Sequence, residues 1–315
     1  MWDHFFFSLS ATVPVFAVMV LGHLLRRAGL LTHEFCRVSN RLVFTAALPA
    51  MLFRQIAVLR PDQIADGRFL LFTAAASVLY PLLVWLPARR LLPDKGEVGA
   101  FTQGAFRGNT ALLGAVLMES ICGSLTYAPL IVLAGVPVSN AFSVIILSLE
   151  AGGDRPDRAA LRRALAGVIK NPLIIGILLG LPFAFFRIPI PAAADKGLSL
   201  LANMASPLAL LVIGAEFRAD AAVKKLRSTV CAGLIKLLLL PALTIFAAAA
   251  LGFRGEAMVA VLVFSGTPTA VASYIMAENM HNDGVLANGI VAFTTLLSAV
   301  TVTGWIFLLR VTGLI

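Results

Sequence analysis

The sequence predicts an all-α membrane protein with ten transmembrane helices, arranged as two inverted repeats of five helices. Hydrophobic residues make up 59% of the 315 residues and charged residues only 13%, and the mean hydropathy is +0.93. Soluble domains are typically about half apolar and a quarter charged, so this composition indicates a protein that lies in a bilayer. The net charge of +9 comes from basic residues between apolar runs, which is typical of cytoplasmic loops rather than of a nucleic-acid-binding surface.

Ten apolar runs, separated by charged or Pro/Gly-rich breaks, approach the length of about 20 residues that a membrane-spanning helix requires. In chain order the predicted spans are 5–25, 35–57, 67–92, 98–119, 125–149, 162–186, 195–217, 228–252, 255–278 and 284–312. The first run is kept as a span because Met1–His4 lacks the basic start of a signal peptide. Spans 2 and 3 are the most interrupted, the first by Arg41 and the second by three prolines.

The two halves of the chain correspond at an offset of 158 residues. Phe106–Thr110 reappears as Phe264–Thr269 at that offset (264 − 106 = 158). The same offset pairs Pro14 with Pro172, Pro49 with Pro207, and Gly22 with Gly180. Because five spans per half is an odd number, the second copy enters the membrane upside down, which is the pattern of a secondary transporter. The polar link after Glu150 therefore predicts two domains, residues 1–157 and 158–315.

Lysine and arginine predict the orientation of the chain. With the N-terminus outside, the inner loops and their flanks hold fifteen of these residues, whereas the outer regions hold seven. Since basic residues are retained on the cytoplasmic side, both termini are predicted to lie outside the cytoplasm.

Spans 4 and 9 contain the residues that predict a binding site. Arg107 lies near the middle of span 4, where an arginine costs about 2.5–3.5 kcal/mol to insert and usually faces a cavity or a partner. Gly108 and Pro268 permit both helices to break at this depth, because glycine tolerates unwinding and proline removes a backbone donor. Broken ends expose N–H groups that favour anions and carbonyls that favour cations. The neutral polar side chains at the same depth are Asn109, Thr110, Thr267 and Thr269.

Each of these residues also has a purely structural interpretation. Arg107 could pair with a half-buried acid such as Glu119, and Pro268 could produce a simple kink. Asn140 in span 5 could either join helices or contact a ligand. Lys170 and Lys236 lie within about two turns of span ends, so we expect both to extend towards the membrane surface.

Motifs of other protein classes are missing from the sequence. It contains no Walker phosphate loop, Gly-x-Ser-x-Gly or His-Glu-x-x-His motif, so we predict neither an enzyme nor direct ATP coupling, and no cofactor. Cys36, Cys122 and Cys231 lack metal-ligand spacing, and the histidines lie near span ends, so no metal site is predicted. A pair of aspartates at mid-membrane is also missing, which argues against an antiporter with a carboxylate dyad.

Several segments resemble the auxin efflux carrier family, which includes plant PIN carriers and bacterial malonate and malate permeases. These segments are Phe106–Gly114, the region around Asn140, Lys170–Gly176, Ser206–Gly214 and Pro268–Ala277. The resemblance covers nearly the whole chain and implies a scaffold from spans 1, 2, 6 and 7, and a transport domain from spans 3–5 and 8–10. It also implies that broken helices 4 and 9 cross, that the scaffold forms a homodimer, and that asparagines of spans 4 and 5 hold the substrate. Asn109 and Asn140 match these asparagines.

Two departures from plant members favour a bacterial member in the inner (plasma) membrane. Plant carriers have a proline after the span 4 asparagine, where this chain has only Gly114 and its neighbours, and the long cytoplasmic loop is reduced to a short link. The resemblance thus implies alternating-access transport of a small organic anion such as malonate or malate. The protein would be surrounded by membrane lipid. The alternatives are an exporter of an auxin-like aromatic carboxylate, a non-transporting receptor or sensor for a small ligand, and a passive channel.

Overall fold

The computed structural model describes residues 14, 17–59, 66–123, 126–151, 170–217 and 223–315. In the first half the helices are α1 (residues 17–27), α2 (His33–Leu42), α3 (Leu48–Ala57), α4 (Gly67–Leu91), α5 (Val98–Phe106), α6 (Thr110–Cys122) and α7 (Ala128–Glu150). In the second half they are α8 (Pro172–Phe185), α9 (Ala192–Asn203), α10 (Ala205–Ala215), α11 (Leu226–Leu234), α12 (Leu240–Ala250), α13 (Gly255–Gly266), α14 (Ala272–Asn279) and α15 (Gly284–Val311). Most of the link after Glu150, the predicted domain boundary and the first parts of spans 1 and 6 lie outside the described residues.

Five stretches of these helices are long and apolar enough to cross a membrane. They are Gly67–Leu91, Ala128–Glu150, Ala192–Ala215, Leu226–Ala250 and Gly284–Val311. They confirm predicted spans 3, 5, 7, 8 and 10 to within three residues at each end. The described chain is therefore that of an all-helical, multi-pass membrane protein, with no strands among the residues that the structure covers.

Polar residues in the breaks between spans act as helix caps. The side chain of Thr32 accepts a hydrogen bond from the Phe35 N–H at 3.1 Å. Asp283 does the same for the first turn of α15, accepting from the Leu286 N–H at 2.8 Å. Such caps satisfy N–H groups that have no partner within the helix. The residues that interrupt the hydrophobic pattern therefore also fix where the helices begin.

Two continuous helical stretches, α2–α3 and α11–α12, each contain a π-helical turn. Val43–Ala47 joins α2 to α3, and Ile235–Leu239 joins α11 to α12. Such a turn accommodates one extra residue, so it changes which side chains face the protein interior, and it often occurs at functional sites.

The helices pack as two groups. The first group contains α2, α3, α8, α9 and α10, with α3 packed most extensively against α8. The second group contains α4–α7 and α11–α15, in which α4 packs against α7 and α11 against α15. A cleft lined by residues of both groups lies between them, and it holds the candidate site described below.

An ion cluster ties together one end of the second group. Lys225 Nζ lies 2.8 Å from Glu97 and 3.2 Å from Asp94, which both precede α5. It also lies 2.9 Å from Asp283, which precedes α15. Burial lowers the pKa of Lys225, but hydrogen bonds to the three carboxylates outweigh it and raise the pKa above its usual value. The pKa of Asp94 is lowered, mainly by Lys225 and also by the Gly96 N–H. The cluster thus anchors the start of the helix that leads to the site.

Two close backbone contacts, one between α1 and α10 and one between α8 and α3, are related by the sequence offset. A Cβ atom on Gly22 would lie 2.2 Å from the carbonyl oxygen of Leu211, and one on Gly180 would lie 2.9 Å from that of Phe53. These residues correspond in pairs, since 22 + 158 = 180 and 53 + 158 = 211. In each pair, a glycine permits a neighbouring helix backbone to approach more closely than any side chain would allow.

We expect Gly22→Ala to destabilise the protein by about 1–3 kcal/mol, the usual cost of overpacking. The matched control is Gly304→Ala in α15, because nothing lies within 4 Å of the position that its Cβ would occupy. Thermal unfolding of both purified variants in detergent measures the difference. An equal melting temperature for the two variants would contradict the tight contact.

Candidate functional site

Two helices of the second group are interrupted. The chain leaves α5 at Phe106 and begins α6 at Thr110, and it leaves α13 at Gly266 and begins α14 at Ala272. Both interruptions include the residue predicted to permit a break, Gly108 in one and Pro268 in the other. The flexibility of glycine and the missing donor of proline explain why the helical hydrogen bonds stop here.

The two unwound segments pair with each other. The Asn109 N–H donates to the Pro268 carbonyl at 2.8 Å, and the Ala270 N–H donates to the Arg107 carbonyl at 3.2 Å. Gly108 and Thr269 thereby form an isolated antiparallel bridge. Exposed backbone groups are costly at membrane depth, and here each segment supplies the partners of the other.

A cleft lies against this pairing, between the two groups of helices. Its lining from the second group is Arg107, Gly108, Asn109, Thr110, Val136, Ser139, Asn140, Ala270, Val271 and Ala272. Its lining from the first group is Leu48, Met51, Leu52, Ala205, Ser206 and Ala209. One wall is therefore rich in hydrogen-bonding groups, and the other is almost entirely apolar. Such an arrangement fits a ligand with a charged head and a carbon skeleton.

The polar wall includes the first turns of two helices. Asn109 and Thr110 lead into α6, while Ala270–Ala272 leads into α14. The first N–H groups of a helix have no partner within it and carry a positive partial charge. Two such ends at one cleft favour an anion.

Arg107 adds a full positive charge to this wall. The residue is only 6% exposed, and its Nη2 donates to Asn140 Oδ1 at 2.8 Å. Its Nη1 contacts the sulfur of Met276. No carboxylate of a described side chain lies within 4.0 Å of the guanidinium, while the Glu119 side chain, its predicted alternative partner, lies outside the described residues.

The side chain of Gln103 offers Arg107 a further neutral partner. When its amide is oriented with the oxygen towards Arg107, that oxygen lies 3.1 Å from Nη1 and the nitrogen lies 3.1 Å from the Ser273 carbonyl. This orientation matches donors with acceptors on both sides. Among the described residues, the guanidinium is thus held by neutral groups, which do not compensate its charge.

The amide of Asn140 is occupied within the protein. Its oxygen accepts from Arg107 at 2.8 Å, and its nitrogen donates to the Val136 carbonyl at 2.8 Å. Asn140 therefore orients Arg107 while lining the cleft. Of the two roles open at the level of sequence, the hydrogen bond to Arg107 fits the joining of helices, whereas Val136 lies on the same helix as Asn140.

Asn109 is different, because its side-chain amide has no hydrogen-bond partner among the residues that the structure describes. It lines the cleft at the start of α6. The hydroxyl of Thr267 also lacks a partner and is fully buried. An amide with both of its polar ends available is suited to a carboxylate or carbonyl ligand.

The eight predicted residues fall into two sets. Five line the cleft, namely Arg107, Gly108, Asn109, Thr110 and Asn140. Thr267, Pro268 and Thr269 lie behind them and are not part of the lining. Thr269 has a structural task, because its hydroxyl donates to the Gly104 carbonyl at 2.6 Å and so caps the end of α5.

The predicted position of Lys236 is wrong. This residue is fully buried, with 0% of its surface exposed, and its Nζ donates to the carbonyl of Ser265 at the end of α13. It lies in the π-helical turn Ile235–Leu239, eleven residues into Leu226–Ala250. Distance from the span end was the signal used in the sequence, and it gave no indication that the side chain points inward. Lys170, by contrast, is exposed, two residues before the start of α8, as expected.

A second cleft, of about 570 Å³, lies between α2, the end of α10 and α14. Its lining includes His33, Glu216 and Glu278. Asn40 Nδ2 donates to the Tyr274 hydroxyl at 3.3 Å and joins the two groups of helices there. Tyr274 lies two residues beyond Ala272, which lines the first cleft, so the two clefts are neighbours along α14.

Comparison with known proteins adds independent information. The family described as "Membrane transport protein" matches residues 7–306. The chain is 24% identical to "Uncharacterized transporter YfdV" of Escherichia coli, over 96% of this chain and 98% of that protein. It is 26% identical to "Putative malonate transporter" of Rhizobium meliloti, over 95% and 94%. It is also 22% identical to "Auxin efflux carrier component 8" of Arabidopsis thaliana, over 98% and 99%.

Proposed function

The chain belongs to the membrane transport protein family that contains the auxin efflux carriers, and from this premise we propose that it is a secondary carrier of a small organic anion. The carrier works by alternating access and takes a carboxylate such as malonate or malate. The main support for this proposal is the cleft next to the two unwound segments that pair with each other. There Arg107, the side-chain amide of Asn109 and the starts of α6 and α14 line one cleft and supply positive charge and hydrogen-bonding groups to it.

The opposite wall of the cleft supports a carbon-containing substrate. Leu48, Met51 and Leu52 of α3 face the polar crossing together with small residues of α10. A carboxylate placed against Arg107 would put its carbon chain against this apolar surface. An inorganic anion would leave the surface without a partner.

The size and position of the cleft support alternating access. Its volume is about 40 Å³, which is room for a few water molecules and too little for a dicarboxylate. The cleft lies between the two groups of helices, so a relative movement of the groups would enlarge it. The adjacent cleft, whose lining includes the hydrogen-bonded residues Asn40 and Tyr274, is the route by which substrate would enter from the cytoplasm.

The proposal includes the architecture that the family implies. Ten helices form two inverted repeats, residues 1–157 and 158–315, with both termini outside the cytoplasm of a bacterial cell. The first group of helices, with α1, is the scaffold and homodimer interface, and the second group is the transport domain. The equivalent contacts of Gly22 with Leu211 and of Gly180 with Phe53 support the repeat, because a two-fold relation exchanges the two pairs.

Malonate is the first substrate to test, because one relative has the name "Putative malonate transporter". In proteoliposomes loaded with unlabelled malonate, we expect uptake of labelled malonate to be accelerated by exchange. A passive channel gives no such acceleration, and a receptor gives binding without flux. An auxin-like aromatic acid serves as the second substrate in the same assay.

We expect Asn109→Ala to reduce malonate exchange at least tenfold, because it removes the unpaired amide of the cleft. The matched control is Asn203→Ala, since Asn203 is exposed at the end of α9 and, among the described residues, its side chain bonds only to Ser199, at 3.4 Å. The control should retain wild-type exchange and melting temperature. If Asn109→Ala also transports normally, the amide does not contact the substrate.

A further inference from the structure

Among the residues that the structure describes, no acidic side chain compensates the charge of Lys236. Its Nζ donates to the Ser265 carbonyl, and no carboxylate of a described side chain lies within 4.0 Å of it. A buried lysine without an acidic partner is rare, because removing the ammonium from water is costly. The negative partial charge at the carboxyl end of α13 is what the ammonium faces instead.

Lys236 also lies directly behind the binding cleft. A Cβ atom on Gly108 would lie 3.4 Å from Nζ and 2.7 Å from the Thr267 hydroxyl. Gly108 lines the cleft, whereas Lys236 does not. Only the backbone of the unwound segment therefore separates the ammonium from the cleft, and a charge acts strongly over such a distance in a poorly hydrated interior.

The C-terminal ends of α5 and α13, at the two helix breaks, are capped in different ways. The end of α5 is capped by the hydroxyl of Thr269 on Gly104, and the end of α13 by the ammonium of Lys236 on Ser265. Carbonyl groups freed at a broken helix are the groups that hold coupling cations in transporters of this general kind. At α13 a lysine already occupies the position that such a cation would need.

We propose that Lys236 is a built-in cation of the anion site, which caps α13 in place of a bound metal ion and supplies the second positive charge for a dianionic substrate. This inference rests on the proposed function and specifies its substrate class. With Arg107, the crossing contains two positive charges and no described carboxylate within 4.0 Å of either. A dicarboxylate balances this charge, whereas a monocarboxylate leaves one charge unpaired. Lys236 is a positioning residue, since the backbone of Gly108 lies between it and the cleft.

Ligand selectivity of Lys236→Met tests the proposal. The ligands are malonate and its monoamide, which have nearly the same shape but differ by one charge. We expect the wild type to bind malonate at least tenfold more tightly than the monoamide, and the variant to lose most of this preference. Ligand-induced thermal shifts of the purified protein in choline chloride measure both affinities. Lys170→Met, which changes an exposed lysine, should leave the preference intact.

The sodium dependence of the unligated protein is a second measurement. Replacing choline by sodium or lithium should leave the wild-type melting temperature unchanged. It should raise that of Lys236→Met, because the carbonyl end of α13 is then open to a small cation. If the wild type binds neither ligand, the proposed carrier function fails, and this measurement still decides the role of Lys236.

Two results would overturn the proposal. One is an unchanged preference for malonate over the monoamide in Lys236→Met. The other is sodium stabilisation of the wild type, which would show that Lys236 does not exclude a cation. The second is measured on the wild type, so it holds even if the variant does not fold.

Discussion

Replacement of Arg107 by methionine should weaken carboxylate binding at least a hundredfold. Hydrogen bonds from charged groups are worth about 1.5–3 kcal/mol each, so loss of a two-pronged contact accounts for about two or more orders of magnitude. Methionine keeps much of the packing volume next to Met276, so the change chiefly removes charge. Thermal shift or calorimetry with malonate measures the affinity, and exchange in proteoliposomes measures transport.

The same variant should remain folded. Arg107 has no described carboxylate partner within 4.0 Å, so its removal leaves no buried charge unpaired, although Asn140 loses one hydrogen bond. Replacing a buried charge by an apolar residue is often neutral or stabilising. A melting temperature equal to or above that of the wild type, together with lost binding, identifies a ligand-binding role. A large loss of stability with intact affinity would instead indicate a structural role.

Two further variants sharpen the interpretation. Arg107→Lys keeps the charge but loses the planar pair of donors, so we expect intermediate affinity. Arg310→Met removes an exposed arginine at the end of α15 and should bind malonate as the wild type does. If all three variants bind equally, the anion does not approach Arg107.

The broken helices were predictable from the sequence because their cause is local. Gly108 and Pro268 change what the backbone can do at their own positions, whatever surrounds them. Five spans were predictable for a similar reason, since length and composition alone determine whether a helix can cross the bilayer. The caps at Thr32 and Asp283 likewise follow from residues next to the helix ends.

Which polar side chains bond within the protein and which stay available was not predictable, because it depends on which helices pack against each other. Thr269 and Asn109 are both polar and lie in the paired unwound segments, yet the first caps Gly104 and the side chain of the second has no described partner. Lys236 is buried within a π-helical turn, and no signal in the residues Ile235–Leu239 distinguishes that turn from an ordinary one. Packing of α11 and α12 against their neighbours determines where the extra residue is accommodated.

Gly108→Ala should abolish transport while Gly114→Ala preserves it. At Gly108 a Cβ atom would lie 2.7 Å from the Thr267 hydroxyl, whereas at Gly114 the nearest atom, Val263 Cγ1, is 3.7 Å away, an ordinary contact. Both glycines lie in the same span and undergo the same chemical change. Only the first lies in the unwound pair, where Asn109 and Ala270 hold the segments together through backbone hydrogen bonds.

The mechanism of the Gly108→Ala effect follows from that pairing. To admit the methyl group, the Thr267 side chain or the backbone beside it has to move away, which would lengthen the hydrogen bonds between the segments. The starts of α6 and α14 would then no longer point to one place, and the site would lose donors without losing any side chain. We therefore expect at least a hundredfold loss of malonate exchange and reduced affinity. Wild-type exchange by Gly108→Ala would show that the two unwound segments can move apart without loss of transport. The geometry of their pairing would then not determine binding.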